Sequence, residues 1–112
     1  MLTIYYQILH TMNTFEIWEH QPQEQEGNYL FSGSFYVTKG ISEQLSGQKI
    51  SDIYRYIQKL VHEKKLDYLQ VFLNLKTGEK LFFIDQLSKS MIESGSYLPE
   101  DNYCTLMFAS EY

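Results

Sequence analysis

The apolar residues change their spacing midway along this chain, and that change constrains the fold more than any other feature. Ile50, Ile53, Tyr54, Ile57, Leu60 and Val61 recur at the spacing of one face of an α-helix. From Leu69 the period becomes two, with Leu69, Val71, Leu73 and Leu75 alternating with Gln70, Phe72 and Asn74. The first pattern predicts a principal helix over Ile50–Lys64, with Ser46-Gly47 supplying its N-cap and Lys64 and Lys65 complementing the negative end of its dipole. The second predicts a strand that turns through Lys76-Thr77-Gly78-Glu79 into Leu81-Phe82-Phe83-Ile84. That return strand is apolar on both faces, which places it centrally in a sheet.

The flanks are read from the same rules. Tyr103 to Ala109 reads as a further strand after the turn cluster Pro99-Glu100-Asp101-Asn102, and Leu87 to Glu93 has the length of one or two helical turns ended by Ser94-Gly95-Ser96. Leu2 to Leu9 is β-prone, and Phe15-Glu16-Ile17-Trp18 alternates. Tyr29-Leu30-Phe31 and Phe35-Tyr36-Val37-Thr38 flank Ser32-Gly33-Ser34, the pattern of a hairpin turn or a bulge. Glu19 to Asn28, with Pro22 and Gly27, reads as an exposed loop. No repeat or Pro-rich linker divides the 112 residues. The expectation is one α+β domain over residues 1–112: an antiparallel sheet of four to six strands with one main helix packed on one face.

Composition narrows the function. Hydrophobic residues make 44% and charged residues 21% of the chain, as in ordinary globular proteins. The apolar runs are far shorter than the roughly 20 residues of a membrane span, and no basic region precedes the first apolar residues as in a secretion signal. Cys104 is the single cysteine, so no internal disulfide forms and a cytoplasmic location is expected. The net charge of -5 opposes non-specific nucleic-acid binding. It is unevenly spread: residues 1–36 carry Glu16, Glu19, Glu24 and Glu26 and no basic group, residues 37–89 hold all nine Lys and Arg, and residues 90–112 carry Glu93, Glu100, Asp101 and Glu111.

Chemistry-bearing patterns are few. His10, His20 and His62 lack the spacings of a zinc site, so no metal and no cofactor are expected. Cys104 sits in an apolar strand, where a small buried thiol is the default. Gly33, Gly40 and Gly47 are too isolated to cradle a phosphate. Paired carboxylates meet only in three dimensions and leave no spacing signature. With no pattern that favours catalysis, a non-enzymatic protein is expected.

Aromatic residues make 16% of the chain, ten of them Tyr, and such side chains bury large contact areas at little entropic cost. Together with the acidic flanks they suit a protein partner carrying a basic groove. The residues singled out for that contact are Glu16, Trp18, Glu19, Glu24 and Glu26 from the first flank and Glu100, Asp101, Tyr103 and Glu111 from the second. A rival surface is the basic side of the helix, with Arg55, Tyr56, Lys59, Lys64 and Lys65, facing nucleic acid or an acidic partner. One arginine in the whole chain is a poor endowment for phosphate recognition, which disfavours direct nucleic-acid binding. A third reading is a structural protein that pairs with itself, as a homodimer, through an exposed strand.

A resemblance adds a setting. Tyr36-Val37-Thr38-Lys39-Gly40-Ile41, then the helix, then Leu66-Asp67-Tyr68-Leu69-Gln70-Val71-Phe72 is similar to a small family described only as staphylococcal proteins of unknown function. That family occurs in Gram-positive bacteria, often on mobile elements, and the likeness covers roughly residues 35–75. Residues 1–34 and the acidic tail depart from it. It has no assigned activity or catalytic residues, so the resemblance implies only a bacterial or phage context. In that context a small inhibitor of a host defence or nucleic-acid-processing protein, of the anti-CRISPR type, is the expected kind of partner binder.

Overall fold

A computed structural model describes residues 17–112, and the β-prone run Leu2–Leu9 and the candidate Glu16 lie outside them. Five strands form one sheet: β1 (Trp18–His20), β2 (Ser34–Val37), β3 (Leu69–Asn74), β4 (Lys80–Asp85) and β5 (Tyr103–Phe108), in the spatial order β1-β3-β4-β5-β2. The first four in that order are antiparallel neighbours, and β4 is the central strand, as its two-faced apolarity requires. The chain is α+β.

β2 departs from the all-antiparallel expectation by joining β5 in parallel, with Phe35 opposite Cys104 and Val37 opposite Leu106. Of the two readings of Ser32-Gly33-Ser34, a hairpin turn or a bulge, the hairpin does not form, since β2 pairs with β5 and Tyr29 with Ser88. Phe31 is fully buried in a left-handed conformation at φ 50°, and Tyr29 makes a single bridge to Ser88. That placement turns the chain away from pairing with itself and delivers Ser34 beside Asn102, whose carbonyl accepts from the Ser34 N–H at 3.1 Å.

From β2 the chain passes through two helices, α1 (Lys39–Gln44) and α2 (Gly47–Leu60), before entering β3. The strand directions make β2 and β3 parallel, so the helices form a crossover that passes over β5 and β4. α1 has no apolar stripe long enough to announce it. It is one capped unit, with the Thr38 hydroxyl accepting from the Ile41 N–H at 3.3 Å. α2 begins earlier than Ile50 because Ser46 caps it, its hydroxyl accepting from the Lys49 N–H at 3.1 Å. It stops at Leu60 rather than Lys64, since the amides of His62 and Glu63 tighten onto carbonyls three residues back.

The stripe on α2 buries Ile53, Ile57 and Leu60 against Phe72, Leu81, Phe83, Leu106 and Phe108 of the sheet. Tyr54 stacks on Phe35 with ring centroids 4.4 Å apart. A third short helix, α3 (Lys89–Ser94), follows β4 where helical turns were expected, and Gly95 ends it at φ 75°.

Candidate protein-binding surface

Trp18 opens β1 and is 4% exposed, packed into the core with its neighbours from β3 and α2, so it anchors the edge strand and presents no contact to a partner. Glu19 faces the opposite side of β1 and is exposed, with the Gln21 amide donating to its carboxylate at 3.1 Å. Glu24 and Glu26 stand on the loop after β1. They share a shallow groove with Lys64 and Lys65, lined on one side by Pro22 to Glu26 and on the other by Val61 to Lys65. The acidic and basic faces separated in the sequence are therefore opposite walls of one feature, and neither makes a field of a single sign there.

The loop itself is pinned rather than loose. Gln23 donates to the Lys65 carbonyl at 2.8 Å and accepts from the Asp67 N–H at 2.9 Å, and the Gly27 N–H donates to Lys65 at 3.3 Å.

Glu111 lies at the other end of the sheet. Its Oε1 accepts from the Phe108 N–H at 2.8 Å and the Thr38 hydroxyl at 2.7 Å, bonds that hold its pKa below the ordinary carboxylate value. It ties the chain's last turn to the start of α1. Arg55 bonds Ser51 at 2.9 Å on its own helix and stays exposed beside Asp52, and Lys59 is exposed one turn on.

Tyr56 is not the outward-facing ring expected from its helix position. It is half-buried, and its hydroxyl lies 3.0 Å from His20 Nδ1. On the other side His20 Nε2 meets Gln70 Oε1 at 2.8 Å. The Gln70 amide nitrogen donates to Gln23 Oε1 at 2.9 Å and to the Asp67 carbonyl at 3.0 Å, which orients its oxygen towards the histidine. Nε2 must then carry the proton, and Nδ1 accepts from the tyrosine. Burial lowers the His20 pKa; the Gln70 bond opposes this, and Lys64 adds to it. A pocket of about 280 Å³ opens beside these groups. With both ring nitrogens engaged, the neutral histidine joins β1, α2 and β3 and has no free base to offer a substrate. His62 is exposed on the turn after α2.

Asp85, at the end of β4, is the buried carboxylate. It is 3% exposed, its Oδ2 accepts from the Phe31 N–H at 2.8 Å, and its Oδ1 has no partner among the described residues. Burial pushes its pKa up to about 6, opposed by the amides of Phe31 and Gln86. Burial, with Asp85 nearby, also pushes the Cys104 thiol up to about 12, so this cysteine is no nucleophile at neutral pH. The Gln58 amide donates to the Phe31 carbonyl at 2.5 Å, so both peptide groups of the left-handed Phe31 are held by side chains. Asp85 is a staple for that turn.

A folded pKa above the ordinary 3.8 means that Asp85's favourable contribution is complete below that value and is lost as pH rises through about 6. Asp85→Asn keeps an oxygen for the Phe31 N–H and has no charge to bury. Urea denaturation of both proteins at acid and neutral pH should show the wild type losing ground to Asp85→Asn by up to roughly 3 kcal/mol. Parallel pH profiles for the two would show that the carboxylate is not desolvated.

The remaining candidates, Glu100, Asp101 and Tyr103, fall on or beside the excursion between β4 and β5. Ser88 starts α3 by accepting from the Met91 N–H at 3.2 Å. The Lys89 N–H donates to the Asn28 carbonyl at 2.8 Å, and Asn28 donates to the Ser90 hydroxyl at 2.8 Å, which fastens the helix to the body. Past Gly95, Pro99 opens a 3₁₀ turn over Pro99–Asp101, and Asp101 Oδ2 accepts from the Leu98 N–H at 3.0 Å. This frame holds Tyr97 at 46% exposure and Leu98 at 61%; Ile92 on α3 is exposed as well, and Glu93 and Glu100 flank the pair in sequence. Tyr103 follows on β5, half-buried and edge-on to Tyr36 at 5.7 Å.

Glu100 and Asp101 were legible in the sequence as candidates, whereas Leu98 and Ile92 were not. The available signal was an apolar pair, Tyr97-Leu98, placed in an otherwise polar turn cluster.

Among the described residues no three His, Cys, Asp or Glu side chains converge as metal ligands, and no helix is long and apolar enough to cross a membrane. No family model, curated protein or solved structure matches the chain.

Proposed function

We propose that the chain is a non-enzymatic, cytoplasmic protein-binding protein that docks through the acidic, apolar tip over residues 92–101. The observation that carries this reading is the exposure of Tyr97 and Leu98 on a capped and fastened excursion. Apolar side chains held rigidly in water lose little entropy when a partner covers them, which is the property of binding hot spots. Glu93, Glu100 and Asp101 against Lys89 leave the tip net negative. The partner that fits is a protein with an apolar pocket inside a basic rim. The nucleic-acid groove of a host nuclease or defence protein has that chemistry, with carboxylates standing where phosphates would. Glu24 and Glu26, facing Lys64 and Lys65, do not extend this acidic surface.

Affinity capture from a bacterial lysate, with nuclease treatment and at two salt concentrations, tests the reading. A nuclease-resistant protein should be retained by the wild type and by Lys59→Glu. It should be lost by Leu98→Ala combined with Glu100→Lys, and be weakened at high salt. Capture of nucleic acid itself, abolished by Lys59→Glu, would establish the basic-face rival instead. A protein that retains only its own copies would leave the self-pairing scaffold.

A further inference from the structure

β3 is longer than the edge strand beside it. Gln70, Phe72 and Asn74 turn their main-chain groups to β4, so Leu69, Val71 and Leu73 turn theirs the other way, towards β1. The ladder on that side ends at the Gln21 N–H, which donates to the Val71 carbonyl at 2.8 Å. The chain then leaves the strand. Gln23 reaches back with its side chain only, to the Asp67 N–H and the Gln70 amide. Among the described residues no group hydrogen-bonds the Val71 N–H or either main-chain group of Leu69. The gap between the loop over 21–25 and β3 is a cleft of about 400 Å³, lined by Leu69 and Val71 and within the size range of small-ligand sites. Its charges differ in sign from end to end. Lys80, cross-strand from Leu73, lines the Val71 end, and its ammonium makes no ion pair or hydrogen bond among the described residues. Asp67 lines the other end with Glu24 of the loop. The Asp67 carboxylate is held in place there, accepting from the Tyr68 N–H at 2.9 Å and from the Gln25 amide at 3.3 Å.

We propose that this cleft binds a short peptide with free ends, laid along the start of β3 as an added parallel strand. The direction follows from charge. The ligand's amine meets Asp67 and Glu24 and its carboxylate meets Lys80, so it runs the same way as β3. In a parallel pair, one residue bonds both neighbours of the residue opposite it. Leu69 therefore donates to the carbonyl of the ligand's first residue and accepts from the N–H of its third, and the Val71 N–H meets the terminal carboxylate. The length agrees: four residues from Asp67 to Val71 span at most about 14 Å, and an extended tripeptide covers about 10 Å. Its middle side chain falls on the same face as Leu69, which favours an apolar one there. The site is separate from the tip at 92–101 and does not depend on it.

Titration of the isotope-labelled full chain with the tripeptide Ala-Val-Ala, followed by proton–nitrogen correlation spectra, tests this. The amides of Leu69 and Val71 should shift saturably, and those over 92–101 should stay in place. Amidating the peptide's carboxylate, or making Lys80→Gln, should each weaken binding about fivefold. The two together should cost no more than either alone, as a single ion pair requires. N-acetylation of the peptide should weaken binding by a similar factor in the wild type and have no effect on Asp67→Asn combined with Glu24→Gln. N-methylation of the third residue's amide removes the donor to Leu69 and should abolish the saturable shifts. The same change at the second residue, whose N–H faces away from β3, should leave them. Absence of a saturable shift at Leu69 and Val71 would overturn the proposal, as would equal tolerance of both methylations. An N-acetylated peptide that binds as well as the free one would also overturn it, assigning the cleft to the C-terminus of a longer chain.

Discussion

Ile57→Asp is expected to abolish cooperative folding. Ile57 is fully buried at the middle of the α2 stripe, in the same cluster as Phe72, Leu81, Phe83 and Leu106. A carboxylate there would lose its hydration and find no buried basic side chain among the described residues, whose buried titratable members are Asp85 and Cys104. The cost of such a burial is on the order of 4 kcal/mol or more, against a total stability of about 5–15 kcal/mol for a small domain. Far-UV circular dichroism with thermal melting should show no sigmoidal transition. Ile57→Val should retain one with a loss of about 1 kcal/mol, because it removes a methylene without introducing charge. Arg55→Ala, two residues away on the exposed side, should stay within about 0.5 kcal/mol of the wild type. A cooperative transition in Ile57→Asp near the wild-type midpoint would mean that the stripe is not the core.

The parts of this fold that were legible in the sequence are those specified by neighbours a few residues away. The α2 stripe repeats over four turns, and the β3–β4 hairpin is closed by its own turn, where Asn74 accepts from the amides of Lys76 and Thr77 and Gly78 takes φ 81°. β2 was not legible as a parallel partner of β5, because the determinants lie far away in sequence. Asp85 and Gln58 hold Phe31 in its left-handed turn, and Asn102 receives Ser34. Tyr56 illustrates the same limit on a helix. Its spacing places it beside the apolar stripe, and only the arrival of His20 from β1 decides that its hydroxyl points inward. For the candidate surface, charge was readable because it is a property of residue type, whereas the exposure of Leu98 goes with the 3₁₀ turn of Pro99–Asp101, whose Asp101 carboxylate fixes the Leu98 N–H.

That long-range specification gives Gly33→Ala a large expected effect. A Cβ built on Gly33 would sit 2.0 Å from the Asn102 carbonyl oxygen and 2.4 Å from its carbon. These are main-chain atoms next to the first residue of β5, so no side-chain rotation relieves the contact. The glycine is needed for close approach of two backbones, since its φ is not in the left-handed range. Either β2 or the Asn102 segment must move, and the bond from the Ser34 N–H to Asn102 is the first to break. A loss of about 2–4 kcal/mol is expected by urea denaturation, in the range of other forced overpacking with a broken hydrogen bond. Hydrogen exchange should localise it: amides of β2 lose protection while those of the β3–β4 hairpin keep theirs. Gly47→Ala is the matched comparison. Nothing lies within 4 Å of its added Cβ, and it occupies the first position of α2, so alanine there should leave stability unchanged or raise it by about 0.5 kcal/mol. If Gly33→Ala behaves like Gly47→Ala, the parallel edge of the sheet is not held at Asn102 as described.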